Sequence, residues 1–193
     1  MDWRLYKAIY DVSLHHHWLG SLFHGIEAAS IPFMVVATAV LWFFSRPGGD
    51  RRWKLAAGNG FAAAALGYVV NFVIHTAWDR PRPYESHTIR HPWSSATDAS
   101  FPSDHASVSF AIAFAVIAFD AAAGAVLLLA AIVIAVGRLF IGAHYPSDVL
   151  AGLVVGAVAA FVVVRLLGPL VDRVVRLVER VSDPLVGRLW RRA

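Results

Sequence analysis

No cysteine occurs in the 193 residues, which excludes disulfides, thiolate nucleophiles and cysteine-bound metal, and leaves the redox compartment without a marker. Charge is scarce as well. Asp, Glu, Lys and Arg make up 16% of the chain against 58% hydrophobic residues, and the mean hydropathy is +0.59. That balance is too apolar for an ordinary soluble domain, so the chain reads as a single membrane-embedded unit. The formal charge of +4 does not argue for nucleic acid, because the arginines gather at the ends of apolar segments and in the tail, as membrane-surface anchors and topology signals do. The start Met1-Asp2-Trp3-Arg4-Leu5-Tyr6-Lys7 has no apolar core, so no cleavable signal peptide is expected.

What is present in abundance is apolar sequence, broken at intervals that suit an all-α integral membrane bundle of about five transmembrane helices. Residues 1–17 form an aromatic-rich segment that suits either a helix lying in the interface or a short helix packed on the bundle. His15-His16-His17 cannot share one helical face, which argues against a metal site. The expected spans run over about 18–44, 55–77, 103–119, 125–141 and 146–166, with a turn at 120–124, and 167–193 is an amphipathic tail. Gly58, Gly60 and Gly67 suit close helix packing in lipid. Fixing the basic stretch Arg46 to Lys54 on the cytoplasmic side by the positive-inside rule puts the 79–102 loop and residues 142–147 outside. The arginine-rich tail then falls inside, in agreement with the same rule.

Three polar clusters thus share the outer side. Phe101-Pro102-Ser103-Asp104-His105 stands where an irregular loop becomes an apolar helix, whose first-turn N–H groups and dipole favour an anion. Arg80-Pro81-Arg82-Pro83 is held extended by its prolines, so both guanidinium groups point to similar sides and offer planar forks for phosphate oxygens. Arg138, His144 and Asp148 have the spacing R-x5-H-x3-D. With Pro146 in a first turn, His144 and Asp148 share a face, so the carboxylate is expected to accept a proton from one ring nitrogen and leave the other as nucleophile. His105, a second imidazole, is suited to protonating a leaving oxygen. Glu27, three residues after His24 on the first span, carries a carboxylate whose insertion costs about 2.5–3.5 kcal/mol, so it is expected to face the interior, either in a functional role or paired with His24 or an arginine.

The order R-P, P-S-x-H, R-x5-H-x3-D resembles the type 2 phosphatidic acid phosphatase superfamily of integral-membrane lipid phosphatases. Ala99-Ser100-Phe101-Pro102-Ser103-Asp104-His105 and Gly142-Ala143-His144-Tyr145-Pro146-Ser147-Asp148 are similar to its bacitracin-resistance branch, the bacterial undecaprenyl-diphosphate phosphatases. Asp104 replaces the superfamily's usual glycine, His75 its usual lysine and Gly137 its usual serine. The resemblance implies that His144 attacks phosphorus to give a phosphohistidine, that Asp148 orients it, and that His105 protonates the leaving group. Arg82, Ser103, Asp104 (through its backbone N–H) and Arg138 would hold the phosphoryl group, and neither metal nor other cofactor is implied. Arg80, His75 and Glu27 are accessory candidates; with His87, Arg90 and His91, the first two could add positive charge for a diphosphate.

The implied substrate is a polyprenyl diphosphate in the bacterial cell membrane, with membrane lipids as the remaining partners and no nucleic acid. The rival within the same chemistry is a phosphatase for a lipid monophosphate such as phosphatidylglycerol phosphate or phosphatidate. From another class, a non-enzymatic membrane transporter would use Glu27, His75 and the arginines as an ion path.

Overall fold

The computed structural model describes residues 2–45, 50–90 and 93–190, with side chains as far as residue 187. Residues 46–49 of the basic turn, His91, Arg191 and Arg192, and the side chain of Arg188, lie outside the described residues. Among the described residues every regular element is a helix: α1 (Asp2–His15), α2 (His17–Phe44), α3 (Arg52–Ala77), α4 (Pro83–Ser86), α5 (Asp104–Ile117), α6 (Ala121–Phe140), α7 (Pro146–Arg165) and α8 (Gly168–Trp190).

Helices α2, α3, α6 and α7 are long and apolar enough to cross a membrane. The expected span over 103–119 is shorter than that: α5 has 14 residues, about 21 Å, against a hydrocarbon core of about 30 Å. This shorter apolar helix is the centre of the bundle, with Ala106, Ser107, Ser109, Phe110, Ala111, Ile112, Ala113, Ala115 and Val116 all buried. Small residues let its neighbours close on it. A Cβ at Gly156 of α7 would stand 2.7 Å from the Ser107 carbonyl oxygen, and one at Gly152 would stand 2.8 Å from that of Ser103. Without a hydrophobic force between helices in lipid, such close packing supplies the attraction.

The C-terminal end of α5 is level with the start of α3. Asp120 caps α6 by accepting from Ala123 N at 2.9 Å, and it also accepts from Trp53 Nε1 of α3 at 2.8 Å. The cap, followed by the helix-favouring Ala121–Ala123, starts α6 at residue 121, so the turn expected over 120–124 is helical for most of its length. At the other end, Asn71 Nδ2 of α3 donates to Asp104 Oδ1 at 2.6 Å and to Ser107 Oγ at 2.9 Å. Asn71 lies six residues before the end of α3, so α5 begins about 9 Å below that end. The chain enters α5 through Ser103 at the floor of this recess.

Helix α1 packs on the bundle over the same end. Tyr6 and Tyr10 are buried, donating to the carbonyls of Gly142 (3.2 Å) and Arg90 (2.6 Å). Gly142 has φ +74°, and a Cβ there would stand 2.7 Å from the Tyr10 ring, so glycine is required both for the turn and for the tyrosine. At the opposite end α8 lies against α3: Val171 and Val175 are buried, Arg51 Nε meets Glu179 at 2.9 Å and Lys54 Nζ meets Asp183 at 2.7 Å.

Candidate active site

His144 sits between α6 and α7, 2% exposed. Its Nδ1 is 2.8 Å from the Ser100 carbonyl oxygen, an acceptor only, so Nδ1 carries the proton and Nε2 the lone pair. Two guanidinium groups meet that lone pair: Arg138 Nη2 at 3.1 Å and Arg82 Nη1 at 3.3 Å. Burial pushes the His144 ring well below its ordinary value, and the charges of Arg138 and Arg82 push the same way. The ring is therefore neutral at physiological pH, in the form that a nucleophile needs.

The hydrogen bond expected between His144 and Asp148 is not formed. Nδ1 stands 3.8 Å from Asp148 Oδ2, beyond hydrogen-bond reach, because the backbone of Ser100 takes the ring proton. Asp148, fully buried, accepts instead from Arg80 Nη1 (2.5 Å), Ser100 Oγ (2.6 Å) and Tyr145 N (2.9 Å). Arg80 is likewise diverted from the phosphate role foreseen for it. Its Nη2 binds Asp2 at 2.8 Å, its Nη1 also reaches Ser147 Oγ at 2.7 Å, and its guanidinium lies over the Tyr145 ring. A buried carboxylate demands a counter-ion, and Arg80 supplies it to Asp148.

Arg82 and Arg138 each have a carboxylate behind them. Arg82 Nη2 binds Asp98 Oδ1 at 3.0 Å, its Nε binds the Asp98 carbonyl at 2.9 Å, and its Nη1 donates to Ala143 O at 3.1 Å. Burial alone would raise the Asp98 carboxyl, but the Arg82 guanidinium outweighs it and holds the group below the usual carboxylate range. Arg138, in the last turn of α6, is ion-paired with Glu27 of α2, whose other oxygen is 3.6 Å from His24 Nδ1. Glu27 thus faces inward and pairs with both of the partners foreseen for it.

Ser103 is the N-cap of α5, completely buried, and among the described residues its Oγ has no hydrogen-bond partner; nor has Arg138 Nε. Buried donors are normally satisfied, so both point to an acceptor that a phosphoryl group would bring. The Asp104 carboxylate is turned to Asn71, leaving the first-turn N–H groups of α5 unpaired within the helix. His105, in that first turn, is within electrostatic reach of Arg138, His144, Arg82 and Asp98. His75 Nε2 approaches the Pro102 carbonyl at 3.0 Å and His87 stacks on Trp3 at 3.7 Å, so both hold protein groups.

The sequence matches a known family. The sequence profile of the PAP2 superfamily matches residues 56–171. The chain belongs to that superfamily. The PAP2 relative "Undecaprenyl-diphosphatase BcrC" of Bacillus subtilis is 32% identical over 97% of each chain, and "Putative undecaprenyl-diphosphatase YbjG" of Escherichia coli is 29% identical over 73% of this chain and 70% of its own. Among solved structures, LpxE of Aquifex aeolicus superposes with a TM-score of 0.65 at 21% identity, over 84% of this chain and 93% of that one. The PAP2 fold and a multi-pass membrane location follow.

Several members of this candidate site carried no sequence signal. Asp98 and Ser100 lie in an irregular polar loop, where nothing in the spacing marks one residue as backing Arg82 or another as holding both His144 and Asp148. Asp2 reaches Arg80 and Ser147 from 78 and 145 residues away. Asn71 was hidden as one polar residue in an apolar helix, the one signal that could have drawn attention to it.

Proposed function

We propose that the chain hydrolyses undecaprenyl diphosphate to undecaprenyl phosphate and inorganic phosphate through a phosphohistidine. The observation that carries this reading is the His144 ring, buried, neutral, fixed through Nδ1 on Ser100 O, with two guanidinium groups facing Nε2. Nε2 attacks the terminal phosphorus, the N–P bond forms, and the bond from phosphorus to the bridging oxygen breaks. Once the negative diphosphate offsets the Arg138 and Arg82 charges, His105 takes up a proton in the bound complex and gives it to the departing lipid phosphate. It then takes a proton from water, which attacks phosphorus, breaks the N–P bond and releases phosphate.

Arg82 and Arg138 swing from Nε2 to the phosphoryl oxygens, while Ser103 Oγ and the backbone N–H of Asp104 bind others. Stabilisation by fixed charges is the largest effect expected in phosphoryl transfer. Asp148 holds the 144–148 segment through Tyr145 N, and from 3.8 Å it offsets the positive charge that His144 acquires on phosphorylation. Glu27 anchors Arg138. Arg80 and His75 position Asp148 and the Pro102 turn rather than contacting phosphate.

The site faces outward, because Arg51, Arg52 and Lys54 of the basic stretch and Arg173, Arg176 and Arg180 of α8 belong to the opposite end of the bundle. We take the described helices as one unit with this one activity. Purified protein should release phosphate from undecaprenyl diphosphate in the presence of EDTA, more efficiently than from phosphatidylglycerol phosphate, and His144→Ala should abolish release. Loss of activity in EDTA, undiminished release by His144→Ala, or preference for the monophosphate lipid would overturn this assignment. No release from any lipid phosphate would favour a transporter.

A further inference from the structure

The tail helix α8 has four sides, and the phosphatase reading uses none of them. One side is closed against α3 by Val171 and Val175, where a Cβ at Gly58 would stand 2.5 Å from Val175. Beside it the acids are all committed. Asp172 meets Arg51 at 3.1 Å and also pairs with Arg176, Glu179 meets Arg51 at 2.9 Å and Lys54 at 3.6 Å, and Asp183 meets Lys54 at 2.7 Å. Trp42 Nε1 adds a bond to Ser182 Oγ at 3.1 Å. These contacts fix the rotation of α8 about its axis, and so decide what its other two sides show.

The third side is an apolar stripe of exposed Leu170, Val174, Leu177, Val181 and Leu185. Its first half forms one wall of a groove of about 500 Å³, whose far wall is Trp42, Phe61 and Leu66. The fourth side carries Arg173 and Arg180, both exposed and, among the described residues, without an acidic partner. The helical repeat puts Leu177 four residues after Arg173 and three before Arg180, so the two cations flank the stripe along one edge. Because Arg51 and Lys54 neutralise the acids, the outward charge of the helix is positive.

We propose that α8 and this groove form a binding site for an anionic phospholipid of the leaflet opposite the candidate active site. One acyl chain lies in the groove between Trp42 and Val174, and the phosphate rests between Arg173 and Arg180. The apolar groove alone would accept any lipid tail; the two arginines, across the apolar stripe from the groove, make the site selective for a negative headgroup. A planar guanidinium matches phosphate oxygens, and its methylene stem packs along the apolar stripe beneath.

The test uses the full-length protein in vesicles of phosphatidylcholine containing a fraction of brominated lipid, either phosphatidylglycerol or phosphatidylcholine. Bromine quenches nearby tryptophan, and subtracting the signal of Trp42→Phe isolates Trp42 among the 7 tryptophans. Brominated phosphatidylglycerol should quench Trp42 at a much lower mole fraction than brominated phosphatidylcholine. One basic side chain at an anionic surface contributes about fivefold, so Arg173→Gln with Arg180→Gln should reduce that preference about 25-fold. Both residues are remote from His144, so unchanged phosphate release by the double variant certifies its fold independently of the lipid readout. Equal quenching by the two lipids would refute the site. A preference that survives the double substitution would refute the role of the arginines.

Discussion

Replacing Glu27 by glutamine tests whether the intramembrane carboxylate serves the site or merely fills it. Glu27 and Arg138 form an ion pair with side chains 20% and 3% exposed, and Arg138 Nη2 is 3.1 Å from His144 Nε2. Removing one partner of a fully buried pair costs about 3–5 kcal/mol. Glutamine keeps an oxygen that can accept from the guanidinium, and the partial exposure of Glu27 screens part of the charge, so about 2 kcal/mol is the expected loss of transition-state stabilisation. At 1.36 kcal/mol per tenfold that is about a 30-fold fall in kcat/KM for phosphate release. Glu27→Ala, which leaves no acceptor, should fall further. The pair is tested by a cycle with Arg138→Ala: once the arginine is gone, changing Glu27 should cost little more. Activity of Glu27→Gln within about twofold of the parent, or full additivity in the cycle, would refute the argument.

Asp148→Asn should reduce kcat by about 100-fold or less, rather than the roughly 10⁴-fold seen where an aspartate alone sets a histidine tautomer, because the Ser100 carbonyl holds the His144 proton in both proteins. Steady-state kinetics decide between the two magnitudes. Gly156→Ala should destabilise the bundle by about 1–3 kcal/mol, the usual cost of overpacking, since its Cβ would press on the Ser107 carbonyl at 2.7 Å; a lowered unfolding midpoint in detergent measures it. Burial would raise the Asp2 carboxyl, but bonds from Ser147 and Arg80 outweigh it and hold the group below its ordinary range. With a depressed folded value, the stability it lends is present above about pH 4 and is lost as pH falls through the folded value. The difference in unfolding midpoint between the parent and Asp2→Asn should therefore be largest above pH 4 and shrink under stronger acid.

Much of this was legible from residues alone because the physics involved is local. Apolar runs long enough for a bilayer mark the spans, and R-x5-H-x3-D with P-S-x-H places His105, Arg138 and His144 at neighbouring helix ends. What escaped was long-range. The depth of α5 depends on Asn71 gripping Asp104 from another helix, which no periodicity along 103–119 reveals. The partner of the His144 proton is a backbone carbonyl, and every residue has one, so only the fold could select Ser100 over Asp148. Arg80 and Arg82 look alike in an Arg-Pro-Arg-Pro run. Yet a buried carboxylate takes the first, and the second is left at Nε2. Glu27 announced itself by its cost in a membrane, but its partner lies 111 residues away.

The most direct test of the central claim is to trap the covalent intermediate. Rapidly quenched reactions with undecaprenyl diphosphate should show, by mass spectrometry under alkaline conditions, one added phosphoryl group on Nε2 of His144. It should be labile to acid, absent from His144→Ala, and, once formed, decay more slowly in His105→Ala, in which water is no longer activated. Phosphate release without any such adduct, or an adduct carried by His105 instead, would contradict the account.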